Sequence, residues 1–190
     1  QCSQVVVTGL GTLTSLGNDP DTFFSNLLDG KCGIGPVTRF DPSNSAVKIA
    51  SEVKDFDIGE FWEPKDAKRY DRYTHLAMGA GKLAFADGGL TKETVDSKRF
   101  GVLIGSGVGG IEAVETATKI LVEKGPKRIT PFLLPSIIGN TAGSMVAIEL
   151  GAKGPNYGIV SACATGTHAL GEALKCLQFG DADVMLAGGT

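Results

Sequence analysis

Segment 155–180 constrains the fold more than any other part of the sequence, because its hydrophobic period changes within it. Residues 157–162 are mostly apolar and uncharged, which is typical of a buried strand. From Ala164 onward apolar residues recur at helical spacing, and Gly180 stands where a helix C′ glycine belongs. The apolar face consists of Leu170, Ala173, Leu174 and Leu177. The pattern predicts a strand followed by a helix, as in an α/β domain.

Cys163 lies at the predicted junction, in the first turn of that helix. Unpaired N–H groups and the macrodipole at a helix N-terminus stabilise a thiolate, which is the nucleophilic form of cysteine. The small neighbours Ala162, Ala164 and Gly166 are expected to leave room for a substrate. A lone cysteine is nevertheless most often a small core residue, so position alone favours a structural role.

The residues around Cys163 favour a nucleophile instead. Residues 161–171, Ser-Ala-Cys-Ala-Thr-Gly-Thr-His-Ala-Leu-Gly, resemble the nucleophile segment of the β-ketoacyl-acyl carrier protein synthases. These are the condensing enzymes of fatty acid synthesis, within the thiolase superfamily, and the likeness is to their elongating branch. It extends, in order, over residues 5–11, 30–40, 101–110, 127–135 and 180–190.

The resemblance implies a thiolase-like α/β fold built from two similar halves, stacked as five αβαβα layers with a mixed sheet. Residues 1–190 correspond to the N-terminal ketosynthase half-domain. The C-terminal half, absent from this chain, supplies two histidines and a lysine in the family. A homodimer is also implied.

The resemblance further implies a mechanism. Cys163 takes an acyl group from acyl carrier protein and holds it as a thioester, with its own N–H as one oxyanion donor. Malonyl-acyl carrier protein then loses CO₂, and the resulting carbanion attacks the thioester to give a 3-ketoacyl chain two carbons longer. No metal or free cofactor is expected, because phosphopantetheine arrives on the carrier protein.

Residues 105–110, Gly-Ser-Gly-Val-Gly-Gly, match a dinucleotide-binding fingerprint between a predicted strand and helix. That fingerprint also needs a second strand ending in an acidic residue that holds the ribose, and no acid follows Lys124 in that position. Tight turning and close packing are therefore the favoured explanation of these glycines. By the resemblance, Val108 borders the acyl chain, together with Leu133.

Two short segments are rich in lysine and arginine, although the net charge of the chain is −3. Clusters of this kind suit an acidic partner such as acyl carrier protein, although charge runs are more often solvated helix faces. The predicted docking residues are Lys65, Lys68, Arg69, Lys127 and Arg128.

Other functions, besides nucleotide binding, are disfavoured by particular residues. A thiolase-type enzyme acting on coenzyme A shares the fold and the cysteine, but the two basic segments argue against it. A non-catalytic chain-length partner subunit is disfavoured because such subunits lack the cysteine. A Cys–His hydrolase is poorly supported, since His168 lies about 140° around the helix from Cys163 and His75 has an ordinary setting.

The composition is that of one ordinary globular domain with a sizeable core. Glycine is abundant, at 27 of 190 residues, which suits close backbone approaches. The net charge gives no reason to expect nucleic acid. Cys2, Cys32, Cys163 and Cys176 show no metal or redox spacing, which favours a reducing, intracellular setting.

The uncharged stretch 129–148 is interrupted by Pro131, Pro135 and Gly139, so we expect no membrane span. No signal segment is visible, and because the chain begins at Gln1 the sequence leaves open that an upstream segment has been removed. The resemblance implies the bacterial cytoplasm or the plastid stroma.

The remaining elements follow from periodicity and from glycine and proline positions. Residues 33–45 are expected to be loop, and the helix over 140–150, apolar on every face, should be buried. We expect strands over 4–10, 47–53, 100–104, 157–162 and 183–189, and helices over 20–28, 64–87, 111–124, 140–150 and 164–179.

Overall fold

The computed structural model describes residues 4–190, so Cys2 lies outside the described residues. The strands are β1 (Ile34–Pro36), β2 (Ile49–Ser51), β3 (Phe100–Gly105) and β4 (Val184–Gly189). The α-helices are α1 (Pro20–Leu28), α2 (Pro64–Ala67), α3 (Arg72–Asp87), α4 (Ile111–Lys124), α5 (Leu133–Ile137), α6 (Thr141–Leu150) and α7 (Thr165–Phe179). Short 3₁₀ turns occupy Ile58–Glu60, Ser97–Arg99, Pro126–Arg128 and Ala162–Ala164.

β3 and β4 form a parallel pair at the centre of the fold, in register from Phe100 opposite Val184 to Gly105 opposite Gly189. Every residue of β3 is buried. An uncharged, apolar strand of this kind is typical of a parallel sheet covered on both faces. Both strands were predicted at these positions, and their existence is confirmed.

Helices cover the two faces of β3. Phe100, Val102 and Ile104 belong to a cluster shared with α3 and α6. Leu103 points to the opposite face and packs against α7. The alternation follows from the period of two along a strand. The result is an α/β/α arrangement, and the predicted α/β class is confirmed.

β1 and β2 form a separate antiparallel pair, with Gly35 opposite Ala50. β2 lies inside the predicted strand 47–53, but the prediction of loop over 33–45 is wrong at β1. Three residues are too few to show a period of two, so the sequence pattern does not reveal this strand.

The single helix predicted over 64–87 is broken between α2 and α3. Asp71 is extended there, with ψ of 161°. Its carboxylate accepts the Ala113 N–H at 2.8 Å, in the first turn of α4. The Ser136 hydroxyl donates to the Arg69 carbonyl oxygen at 2.6 Å. Contacts from α4 and α5 therefore hold the break open, and no local pattern reports them.

The strand predicted over 4–10 is not formed. The Leu10 N–H donates to the Asp87 carboxylate at 2.8 Å rather than to a strand partner. Gly9 lies against the α3 backbone so closely that a Cβ would collide with the Ala84 carbonyl. The segment is therefore fixed by close packing on α3 and not by a ladder.

The strand predicted over 157–162 is also missing, and only one isolated bridge, between Val102 and Asn156, is found just before it. The Val102 N–H donates to the Pro155 carbonyl at 2.9 Å. The Asn156 side-chain amide then donates to the Val102 carbonyl at 3.0 Å. A side chain thus takes an acceptor that a continuing strand would use, and the chain runs on beside β3 without a regular ladder.

Several helix ends follow the sequence signals. Asp19 accepts the Thr22 N–H at 2.8 Å and caps α1, whose first residue is proline. Gly151 and Gly180 end α6 and α7 in the left-handed conformation, which favours glycine. Within residues 4–190, no helix has both the length and the apolar character that crossing a bilayer requires.

Candidate active site

Cys163 lies in the middle of the 3₁₀ turn that leads into α7, and it is exposed. The sequence predicted Cys163 in the first turn of the α-helix. In the structure it lies two residues before α7 begins. The residue before it, Ala162, has φ of 50°, a conformation that L residues other than Asn and Asp rarely adopt. Backbone strain of this kind is concentrated at functional sites.

A glycine-rich turn faces this cysteine turn across the end of β3. Within residues 106–110, the buried Ser106 hydroxyl accepts the Gly109 N–H at 3.1 Å, and Gly109 has φ of 78°. A Cβ on Gly110 would collide with the Ser136 carbonyl oxygen, whereas one on Gly107 would lie 3.5 Å from the Ala162 carbonyl oxygen, in ordinary contact. The glycines therefore allow a tight turn and close packing. The sequence analysis favoured this explanation over a nucleotide-binding site.

Gly166 lies against the end of the sheet, a contact that the sequence did not suggest. Its backbone faces Gly189 at the end of β4, and a Cβ on Gly189 would lie 2.9 Å from the Gly166 Cα. The first turn of α7 therefore packs directly on the sheet backbone. A Cβ on Gly166 itself would lie 3.5 Å from the Gly189 nitrogen, in ordinary contact, and Ala162 and Ala164 are exposed beside Cys163.

The apolar face predicted for α7 is only partly correct. The buried residues are Thr165, Ala169, Ala173 and Cys176, whereas Leu170 and Leu174 are exposed. The leucines line an open groove of about 760 Å³, bordered by β4 and residues 5–11. Small residues face the sheet because the helix approaches it closely, and the larger side chains are displaced to the edge.

The two histidines have hydrogen-bonded settings. His168 Nδ1 lies 2.6 Å from the Ser161 hydroxyl, two residues before Cys163. His75 Nε2 lies 2.8 Å from the Ala67 carbonyl oxygen. From the sequence, neither histidine was expected to be catalytic. The contact between His168 and the segment that carries Cys163 was not predicted.

One of the two basic segments lines a cavity of about 420 Å³ between α3, α4 and α5, and the other directly precedes residues of its opposite wall. Lys68 and Arg69 line it on one side, and residues 129–133 line it on the other. The Arg69 guanidinium stacks over the Phe132 ring at 5.0 Å. Lys65 is exposed on α2, and Lys127 and Arg128 are exposed in the turn that leads into the lining residues.

Val108 and Leu133 occupy different surroundings. Leu133 is partly buried and lines the basic cavity. Val108 is 73% exposed in the glycine-rich turn. Among the described residues, the lining of that cavity does not include Val108. The structure thus places Val108 near the cysteine turn and Leu133 near the cations.

Burial shifts the pKa of two side chains in the first turn of α3. It lowers the pKa of Arg72, and the nearby Arg39 acts in the same direction; the Arg72 side chain donates to the Val53 carbonyl at 3.1 Å. Burial raises the pKa of Tyr73, whose hydroxyl donates to the Ile138 carbonyl at 2.6 Å. Tyr73 therefore remains a neutral donor that ties α3 to the segment after α5.

The α/β/α layers, with an exposed cysteine where the chain enters α7, define a thiolase-like α/β protein. The model of the family "Beta-ketoacyl synthase, N-terminal domain" matches residues 3–190, and the chain belongs to this family.

Relatives of known name agree with this assignment. The 3-oxoacyl-[acyl-carrier-protein] synthase 2 of Synechocystis is 46% identical over 187 residues, which cover 98% of this chain and 45% of the relative. The Staphylococcus aureus (strain COL) protein of the same name is 46% identical over 190 residues, 100% of this chain and 46% of its own. The chain thus spans somewhat under half the length of these relatives.

A solved structure shows the same fold. The ishigamide ketosynthase/chain length factor superposes with a TM-score of 0.88 at 26% identity, over 97% of this chain and 46% of the other. The predicted thiolase-like fold is therefore confirmed.

Proposed function

We propose that this chain carries the nucleophile of a 3-oxoacyl-acyl carrier protein synthase that elongates fatty acyl chains. The observation that carries the proposal is the exposed thiol of Cys163, in a strained turn at the start of α7. Family membership and the names of the two relatives support the reaction type.

In the proposed reaction the Cys163 sulfur attacks an acyl thioester on acyl carrier protein, and the carrier's thiol leaves. Decarboxylation of malonyl-acyl carrier protein supplies a carbanion, which attacks the Cys163 thioester and releases the cysteine thiol. The Cys163 N–H is proposed as an oxyanion donor. The chain needs no resident cofactor in this scheme, because phosphopantetheine arrives on the carrier.

The reaction is tested by supplying the full-length protein with acyl- and malonyl-acyl carrier protein. The expected product is a 3-ketoacyl chain two carbons longer, with one CO₂ released per turn. Acyl- and malonyl-coenzyme A should be much poorer substrates. Full activity with coenzyme A thioesters and none with carrier-bound ones would instead identify the thiolase-type alternative.

The basic cavity supports a carrier-protein docking surface, made of Lys65, Lys68, Arg69, Lys127 and Arg128. Arg39, Lys68, Arg69 and Arg72 line the cavity against two acidic side chains, Asp71 and Glu112, whereas Lys65, Lys127 and Arg128 are exposed outside its lining. The Asp71 carboxylate is engaged by the Ala113 N–H, and Glu112 pairs with Arg39 at 3.4 Å. The cavity therefore presents a positive surface on a chain of net negative charge, which favours an acidic partner.

Reversing Lys65 and Lys68 to Glu tests the docking surface. The KM for acyl carrier protein should rise by about tenfold, at the low end of electrostatic steering, and should depend less on ionic strength. The matched control reverses Lys92 and Lys98, which are exposed near the opposite end of β3. Equal losses on a small acyl-pantetheine substrate would mean a folding or active-site defect and would contradict docking.

Val108 and Leu133 are proposed to border the acyl chain. The exposure of Val108 in the turn that faces Ala162 supports a position beside bound substrate. Val108→Phe should shorten the longest acyl chain accepted and leave short chains unaffected, as measured by a chain-length series. Val122→Phe, at an equally exposed valine on α4, is the control, and an unchanged profile in both variants would contradict the proposal.

We also propose that residues 1–190 act as the N-terminal half of a two-half, homodimeric enzyme in the bacterial cytoplasm or the plastid stroma. Large exposed apolar side chains support further packing partners: Leu28, Ile148 and Phe179 are each at least 70% exposed. Light scattering of the full-length protein should show a dimer, and a monomer at micromolar concentration would contradict this part.

A further inference from the structure

Thr165, the first residue of α7, bridges the strained residue that precedes Cys163. The Ser161 N–H donates to the Thr165 hydroxyl oxygen at 2.9 Å. The same hydroxyl donates to the Ala162 carbonyl oxygen at 2.7 Å. One side chain therefore holds the backbone on both sides of the Ala162 Cα, where φ is 50°.

The orientation of Thr165 is itself fixed by packing. The side chain is 3% exposed. Its methyl group fills the space above Gly105, where a Cβ would collide with it. The methyl faces the end of β3 and the hydroxyl faces the turn, so threonine matches the site at both groups. A valine would keep the shape and lose both hydrogen bonds.

We propose that Thr165 is a positioning residue, whose hydroxyl holds Ala162 in its strained conformation and so presents the Cys163 thiol. A positive φ at alanine persists only when the surroundings impose it. Without the bridge, Ala162 would relax to negative φ and rotate Cys163 away from its exposed position. The inference rests on the proposed role of Cys163 as the nucleophile.

Thr141 offers a matched control within the same fold. It is the first residue of α6, it is 5% exposed, and its hydroxyl donates to the Pro135 carbonyl oxygen at 2.6 Å. Thr141→Val therefore removes one hydrogen bond of a buried threonine and Thr165→Val removes two, at the same position in each helix. Only Thr165 bridges a residue with positive φ.

The test measures two properties of Cys163 in the full-length protein: its labelling rate with iodoacetamide at neutral pH, and kcat and KM for acyl transfer from acyl carrier protein. Thr165→Val should lower the labelling rate and should lower kcat by about ten- to a hundredfold, as small misplacements of reacting groups do. KM should change little, since the basic cavity is untouched. Thr165→Ser, which keeps the hydroxyl, should recover most of both rates.

A double variant guards against simple misfolding. Glycine adopts φ of 50° without strain, so Ala162→Gly should restore a large part of the labelling rate in the Thr165→Val background. Such coupling is expected of residues that share one interaction. Strictly additive effects, or a Thr165→Val protein that labels as fast as Thr141→Val, would overturn the positioning role.

The outcomes separate the two levels of the argument. If Cys163→Ala retains condensing activity, the proposed function fails. If Cys163 is essential but Thr165→Val leaves both its labelling and kcat unchanged, the positioning role alone fails.

Discussion

α6 and α7 cover opposite faces of β3, yet the segments that lead into them are built differently. Both begin with a buried threonine whose hydroxyl donates to a carbonyl of the preceding segment. The residues directly before the two helices, Asn140 and Ala164, are alike, with φ of −86° at both. Three residues before α6, Ile138 is extended, with φ of −71°. Three residues before α7, Ala162 is held at φ of 50°, and an exposed cysteine follows it. The same capping chemistry thus serves stability at one helix and presentation of a thiol at the other.

The largest effect on kcat is expected from replacing Cys163, which precedes α7. Cys163→Ser should lower kcat for condensation by at least about a thousandfold, because a serine hydroxyl is almost entirely protonated at neutral pH. The same assay on Thr141→Val should show a kcat within about twofold of wild type. That variant loses a hydrogen bond that stabilises the fold, and it leaves the residues around Cys163 unchanged. Substantial condensation by Cys163→Ser would contradict a catalytic role for the segment that precedes α7.

Truncating a leucine to alanine should also lower the free energy of unfolding by different amounts in α6 and in α7. Leu150 of α6 is 5% exposed, whereas Leu174 of α7 is 42% exposed. Leu150→Ala should lower the free energy of unfolding by about 2–5 kcal/mol, through lost transfer energy and a residual cavity. Leu174→Ala should cost less than about 1 kcal/mol, because little surface is withdrawn from water.

Denaturant unfolding of both leucine variants measures the difference. Equal costs in the full-length protein would show that the outer face of α7 is covered there by residues outside 4–190. The groove bordered by Leu170 and Leu174 would then be an internal contact and not a free surface.

The smallest difference is expected at the C-terminal ends. Gly151 and Gly180 have φ of 75° and 79°, and a Cβ on either would meet open space. Gly151→Ala and Gly180→Ala should therefore each cost about 1–2 kcal/mol, from the left-handed backbone alone. Thermal unfolding of the two variants should give similar shifts. Clearly unequal shifts would show that the helices differ at both ends and not only at their starts.

Periodicity and glycine positions predicted β3, β4, α1, α4, α6 and α7, because each of these elements carries its own pattern. The break at Asp71 was not predictable, since it depends on the Ala113 N–H, 42 residues away. The missing ladder beyond Asn156 depends in the same way on a side-chain amide that binds the Val102 carbonyl. Local pattern reports local preference, and these features are decided by long-range hydrogen bonds.

The candidate site was predictable to a similar degree. Cys163 follows from the change of period and from the family resemblance, and the basic segments follow from charge. Thr165 was missed, although a threonine near a helix start is a known signal for hydrogen bonding to nearby backbone. Nothing in the sequence indicates that Ala162 has positive φ, because alanine is a residue for which that conformation is not expected.

The role of Cys163 is tested most directly by locating the acyl group during turnover. The full-length protein is mixed with acyl-acyl carrier protein in the absence of malonyl substrate, quenched in acid, digested and analysed by mass spectrometry. The acyl mass should be found on Cys163 as a thioester that disappears when malonyl-acyl carrier protein is added. Acylation of Cys32 or of a serine in its place, or condensation without any acylated Cys163, would contradict the proposed nucleophile.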